Sequence, residues 1–371
     1  MGTLLDAVHD VGLEADRRAQ ETEELRRLPD DLAASLVASQ LFRAWVPARY
    51  GGAETDLLTV LDAIEELSFH DGATGWCGMI GATTSLMSGR LEPTWAQTIY
   101  GDPLAVTGGY ALPAGTARPV DGGLEVSGHW QWGSFSHHCT WIGGGCFLAD
   151  GSGAPFVFFA PEQVTLLDTW RVAGLKGTGS TDYRVTDAFV PEGRWTNVLG
   201  TALVDGPLYR FPLLGALALG VCSVALGLAR RAEHELVEVA GTKKPAQSGR
   251  TLAERPVVQA QVAAAEAARR SARALVRETV EEVWAAADDG ELTGEHKRRL
   301  RLAATNATWQ SAAAVDLMYH AGGGSSIHES SALQRVFRDV HVATQHGMVA
   351  ERTYEPLGRM ALGLPTDTSG L

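Results

Sequence analysis

Val258, Val262, Ala265, Ala268, Ala272, Leu275 and Val283 recur at intervals of three and four residues over many turns. That period puts them on one stripe of a long amphipathic helix. A second alanine-rich helix is expected over Arg299 to Met318. Ahead of both lies an apolar run, Phe211 to Ala229, closed by Arg230 and Arg231. Its length approaches that of a membrane span. Yet it contains Pro212, Gly215, Gly220 and Gly227 and is otherwise largely Ala and Leu. These small residues suit a helix buried on every side of a bundle, where neighbouring backbones approach closely. The last third of the chain is therefore expected to be a bundle of long helices.

The rest of the chain changes pattern twice. Helical spacing is expected over Leu28 to Leu41, with Pro29, Asp30 and Asp31 at its start, over Leu57 to Phe69, and over Thr74 to Ser88. From about Asp102 to Pro191 glycine, β-branched and aromatic residues take over. Strand-like runs fall at Leu124 to Val126, Thr140 to Leu148, Phe156 to Ala160 and Tyr183 to Val190. Helices, then strands, then helices predict an α+β architecture with a helical part over 1–101, a β part over 102–206 and a helical bundle over 207–371. A chain of 371 residues can bury such a core without covalent staples.

Several function classes recede on charge and residue usage. A net charge of -13, from 31 basic and 44 acidic side chains, argues against a nucleic acid or an anionic membrane as partner. Cys77, Cys139, Cys146 and Cys222 have neither metal-ligand spacing nor the look of a disulfide framework. The first thirty residues are too charged for a secretory signal, so a cytoplasmic setting is expected. No G-x-S-x-G pattern occurs. His341 and His346 are five apart rather than the four that suits two ligands on one helix face, and no metal site is expected.

Five segments carry a family likeness. Gly322, Gly323 and Gly324 lead towards Arg335, Arg338 and Asp339 in an R-x-x-R-D pattern, and Val46 to Gly52 reads V-P-x-x-Y-G-G. Both resemble the acyl-CoA dehydrogenase superfamily, over essentially the whole chain. In many of its dehydrogenases a catalytic glutamate follows the R-D pair. Its position here falls on Gly347, with His346 immediately before it. Gly128, Trp130, Trp132, Ser134 and His138 fit the G-x-W-x-F-x-S-G-x-x-H pattern of the related flavin-dependent hydroxylases, with Phe135 in place of the usual glycine. Gly174 to Ser180 resembles the hydroxylase G-L-x-G-T-G-S segment. Pro113, Gly115 and Thr116 partly match a family turn whose Thr-Glu pair is missing.

The resemblance implies an N-terminal helical domain, a middle β-sandwich or barrel and a C-terminal four-helix bundle. It also implies the oxygenase component of a two-component flavin monooxygenase, assembled as a homotetramer. Such a protein takes reduced FAD or FMN (FADH2 ahead of FMN) from a separate NAD(P)H-dependent reductase. It uses O2 to form a C4a-hydroperoxyflavin and hydroxylates an aromatic or heteroaromatic small molecule. By the same resemblance Ser134 meets flavin N5, and Trp132, Thr116, Thr178, Ser180, Gly322, Gly323 and Gly324 contact the flavin. His346 acts as a base or stabilises the oxygen adduct, and His138 points into the pocket. Gln334, Arg335 and Arg338 are expected to support the helix start by pairing with Glu329 and neighbouring carboxylates, and His341 to be structural or a supporting partner. Two alternatives remain: an acyl-CoA dehydrogenase or oxidase with its base at Glu65, Glu66 or Asp71, and a degenerate binding subunit.

Overall fold

Side-chain caps set the N-terminal helices. The computed structural model describes residues 3–245 and 248–371. Thr3 and Asp6 exchange hydrogen bonds in a capping box that opens helix α1 (Leu4–Arg17). Helices α2 (Ala19–Leu25) and α3 (Asp30–Ala38) follow. The last is shorter than its apolar pattern suggests, because Gln40 turns left-handed at φ 66 and Leu41–Arg43 tightens into a 3-10 turn. Asp56 caps α4 (Leu57–His70) and Asp71 caps α5 (Gly72–Ser85), each accepting a backbone N–H of the first turn. Helix α6 (Pro93–Tyr100) closes this part.

The middle region holds strands β1 (Thr107–Val120), β2 (Gly123–Gly133), β3 (Trp141–Leu148), β4 (Phe156–Phe159), β5 (Thr165–Leu167), β6 (Thr181–Pro191) and β7 (Trp195–Thr196). Hydrogen bonds join them into one sheet in the order β5-β6-β2-β1-β3-β4-β7. Only β1 and β3 run parallel. Trp130, fully buried, stacks on Tyr183 at 5.3 Å and donates its indole N–H to the Gly145 carbonyl at 2.8 Å. It is a pillar of the sheet core. Strand β1 slips register between Tyr110 and Gly115, so residues 111–114 leave the ladder.

Beyond β7 come α7 (Pro207–Arg210), α8 (Leu213–Ala240), α9 (Pro256–Asp289), α10 (Gly294–Gly322), α11 (Ala332–Ala343) and α12 (Tyr354–Ala361). The apolar run is α8: its most hydrophobic stretch is 83% buried among α4, α5, α10 and α11. It is the central helix of the bundle. Gly227 shows why the run needs glycine, since a Cβ there would stand 2.4 Å from the Glu65 carbonyl of α4. Two arginines that end the apolar stretch are paired across the molecule, Arg230 with Glu66 at 2.5 Å and Arg231 with Asp16 at 2.8 Å.

Candidate active site

The turn after β2 carries Ser134, and the turn before β6 carries Thr178 and Ser180. A backbone bond holds the two turns together, Phe135 N–H donating to the Thr178 carbonyl at 2.9 Å. Phe135 has φ 61, the left-handed conformation that favours the glycine usual in this pattern. Its ring supplies the compensation. It is buried against Phe42 (5.7 Å between centroids) and His138 (4.9 Å), which fastens the turn to the N-terminal helices.

Four buried side chains form a line. The Trp76 indole on α5 donates to Ser134 Oγ at 3.0 Å. Ser134 Oγ lies 2.6 Å from Ser180 Oγ, which lies 2.6 Å from Thr178 Oγ1. Thr178 in turn donates to the Leu175 carbonyl at 2.9 Å. Leu175, itself at φ 50, gives its N–H to Asp339 Oδ1 at 2.5 Å. The aspartate of the R-D pair therefore pins the glycine-rich loop to α11. Asp339 is buried beside Asp71, and burial first, with the neighbouring carboxylate adding to it, pushes its carboxyl up to about 7. Asp71 is raised as well, chiefly by burial.

His346 lies beyond the end of α11, in the turn after Thr344, so helical phase relative to His341 does not fix its direction. Its ring meets Trp76 edge-on at 5.6 Å between centroids. Trp76 therefore touches both His346 and Ser134, although the motif patterns did not single it out. Its signal lay in α5 being buried nearly all round, which leaves a tryptophan there facing the interior of the site. The Met348 N–H donates to His346 Nδ1 at 3.3 Å. Nδ1 then carries the lone pair and Nε2 the proton, an assignment made from this bond. Enclosure of the ring, followed by the charge of Arg301, pulls its pKa down to about 4. At neutral pH His346 is thus an uncharged N–H donor at Nε2, a geometry that suits stabilising an oxygen atom better than accepting a proton.

The other expected site residues are placed as follows. His138 Nε2 is engaged by the Leu28 carbonyl at 3.0 Å, and its ring ties the β2 turn to the α2–α3 junction rather than meeting Ser134 or His346. Trp132 is 54% exposed, at φ 60, and edge-on to Tyr110 at 5.7 Å; it stands on the open side of the Ser134 turn. Thr116 is exposed in mid-β1, opposite Ser127. Gly322 is buried and Gly323 and Gly324 are exposed at the end of α10, where the Gly322 carbonyl accepts from the Lys243 ammonium. Within this chain these glycines are not assembled with Ser134. His341 bonds Asp316 at 2.9 Å.

One expected pairing is replaced. Arg338 joins Glu23 of α2 at 2.9 Å and the Ala173 carbonyl at 2.6 Å, and only Gln334 reaches the Glu329 backbone. Arg335 comes within 4.0 Å of Asp16. The long-range partners win because α11 packs against the N-terminal helices and the glycine-rich loop, and the sequence gives no sign of that contact.

The carboxylates considered as dehydrogenase bases are all engaged. Glu65 meets Arg273 at 2.8 Å, Glu66 meets Arg230 and His9, and Asp71 caps α5 while bonding the Thr74 hydroxyl. Among the described residues, His9, Glu66 and His70 form the one group with metal-ligand chemistry, and Arg230 holds the other oxygen of that carboxylate. Two surface concavities, one of about 460 Å³ beside Arg90 and Trp195, involve neither Ser134 nor His346.

A helical–β–helical chain of this order, with an uncharged histidine beside the glycine at the expected carboxylate position, belongs by fold with the acyl-CoA dehydrogenase-like flavoenzymes. Residues 219–351 match the family described as acyl-CoA dehydrogenase, C-terminal domain. The chain is 32% identical over 365 residues to the indole-3-acetate monooxygenase of Pseudomonas putida, covering 97% of this chain and 92% of that protein. It is 30% identical over 368 residues to HsaA, the oxygenase subunit of a flavin-dependent monooxygenase of Rhodococcus jostii, covering 95% and 96%. The 3-HSA hydroxylase of Rhodococcus sp. RHA1 superposes with a TM-score of 0.93 at 27% identity, over 99% of both chains. XiaF from Streptomyces sp., solved with FADH2 and glycerol, superposes with a TM-score of 0.92 at 28% identity, over 98% and 95%. This chain belongs to the family of flavin-dependent monooxygenase oxygenase components.

Proposed function

We propose that this protein hydroxylates an aromatic or heteroaromatic small molecule, using O2 and reduced flavin delivered by a separate NAD(P)H-dependent reductase. The observation that carries the reading is the convergence, through Trp76, of the Ser134 hydroxyl and the uncharged His346 imidazole, next to the position, Gly347, at which the resemblance would place a dehydrogenase carboxylate. Relatives named for indole-3-acetate and p-hydroxyphenylacetate support an aromatic substrate, and the FADH2 complex of XiaF supports FADH2 over FMN.

The residues present fit a flavin. Ser134 offers an oxygen beside the exposed indole of Trp132, and His346 has a proton on Nε2 with no partner among the described residues. Reduced flavin reacts with O2 and supplies the oxygen atom transferred. Ser134, supported by Thr178 and Ser180, would hold the flavin, and Trp132 and Thr116 would bound its open side. The Gly322–Gly324 turn fits a flavin phosphate contributed across a subunit boundary in a homotetramer. His346, with its proton on Nε2, would donate to an oxygen brought beside it and so hold a proton where charge would otherwise develop. Trp76 and Phe135 keep water from that face. His138 serves the site by fixing the turn. Four buried, unpaired cysteines are consistent with a reducing cytoplasm.

The dehydrogenase alternative loses its bases to the ion pairs and caps described above. The deciding experiment loads the protein anaerobically with reduced FAD and mixes it with oxygenated buffer. Return of the oxidised spectrum more slowly than for free flavin, with peroxide released only as that spectrum returns, is expected. Oxidation at the free-flavin rate, or purification with tightly held oxidised FAD, would overturn the proposal.

A further inference from the structure

The hydroxyl line at the site has only one direction. A carbonyl oxygen has no proton to give, so Thr178 must donate to Leu175. Its single proton spent, Thr178 must accept from Ser180 across 2.6 Å. Ser180 must then accept from Ser134, also across 2.6 Å. Ser134, its proton also spent, accepts from the Trp76 indole, which can only donate. The Leu175 end sets this order, and the Trp76 end is compatible with it, taking up one lone pair of Ser134. What Ser134 has left for a ligand is a lone pair.

This bears on the flavin reading above and rests on it. Oxidised flavin presents a bare N5, an acceptor. Reduced flavin presents N5–H, a donor. We propose that the Trp76–Ser134–Ser180–Thr178–Leu175 line makes Ser134 an acceptor only, and that Ser180 and Thr178 thereby select reduced over oxidised flavin. For Ser134 to donate to an oxidised N5, Ser180 must reverse, and the Ser180–Thr178 contact is then left as two facing lone pairs. Ser134, Thr178 and Ser180 are 5%, 1% and 3% exposed, so water cannot repair that loss. One neutral hydrogen bond corresponds to roughly 3- to 10-fold in affinity. Selection is thus built into residues that lie behind the one facing N5. An oxygenase fed by a separate reductase gains from it, because spent flavin leaves and fresh reduced flavin enters.

The test is the pair of dissociation constants for oxidised FAD and for anaerobically reduced FAD. Ser180→Ala removes the acceptor that claims the Ser134 proton, and Thr178→Val lets Ser180 turn its own proton towards Ser134. Both variants should bind oxidised FAD about 3- to 10-fold more tightly, with reduced FAD changed less than about twofold. By linkage the two-electron midpoint potential of the bound flavin should fall by about 30 mV for a tenfold change in ratio. Trp76→Phe, which leaves the Leu175 end intact, should keep the wild-type ratio. Parallel weakening of both redox forms in the two hydroxyl variants, or an unchanged ratio in both, would overturn the inference and leave these groups a merely structural role. Failure of the wild-type protein to bind either form would remove the flavin reading itself.

Discussion

At the scale of single residues, the site depends on which atoms have protons left to give. His346 Nδ1 is occupied by the Met348 N–H, and burial holds the ring uncharged. Its folded pKa of about 4 lies below the ordinary histidine value, so folding disfavours the protonated form. The stability this group supports is complete above pH ~6.5 and is lost as pH falls towards 4, because the unfolded chain takes up the proton first. His346→Gln should therefore soften the acid limb of a denaturation series between those limits. In the wild type the imidazole NMR resonances should show no titration near pH 6.5. His346→Ala should fold and bind reduced FAD but release peroxide in place of product; coupled turnover at the wild-type level would take His346 out of the mechanism. For Ser134→Ala, oxidation of bound reduced flavin in air should accelerate and, with substrate present, peroxide yield should rise at the expense of product, which stopped-flow absorbance and a peroxide assay would report. Both residues were visible in the sequence as motif positions. Trp76, which joins them, was not, because nothing local distinguishes it from any other buried aromatic.

At the scale of elements, Asp339 links α11 to the Gly174–Ser180 loop by its bond to the Leu175 N–H, and so to the whole hydroxyl line. Its carboxyl is raised to about 7, burial outweighing the bond that favours its charge. A raised carboxyl makes folding favour the protonated form. Its contribution to stability is greatest near pH 4 and is lost as pH rises to about 7, opposite in sign to His346. Asp339→Asn keeps an oxygen for the Leu175 N–H and removes the titration. Urea unfolding at pH 5 and pH 7.5 should therefore differ less in the variant than in the wild type, and an undiminished difference would assign the dependence elsewhere. The long helices and four of the seven strands were legible from period and composition, since each buries one regular face. Strand β1 was legible only in part: its bulge after Tyr110 interrupts the alternation that marks a strand. The Arg338–Glu23 pair could not be read from α11 alone, because its partner lies 315 positions away in α2.

For the whole molecule, the central question was whether the apolar run of α8 faces lipid or protein. The 83% burial of its most hydrophobic stretch places it in the bundle core, as its glycines suggested. In keeping with the family, light scattering should find four copies associated. The exposed Gly323–Gly324 turn of one protomer is then expected to complete the flavin site of another. If so, dilution to monomers should abolish flavin binding while leaving the fold intact by circular dichroism; a monomer with full affinity would show each site to be self-contained.

The sequence by itself determined the order of layers, the buried helix and the substitution of histidine and glycine for a carboxylate base. Periodicity and residue type are local properties, and they survive in a one-dimensional string. Tertiary structure alone decided what those residues do. It assigned Trp130 to the sheet core and His138 to the Leu28 carbonyl, and it gave Asp339 the glycine-rich loop. It also set the direction of the hydroxyl line, which runs between two ends of which the Leu175 carbonyl, able only to accept, fixes the order of the protons. Those ends, Trp76 and Leu175, are brought together only by the fold.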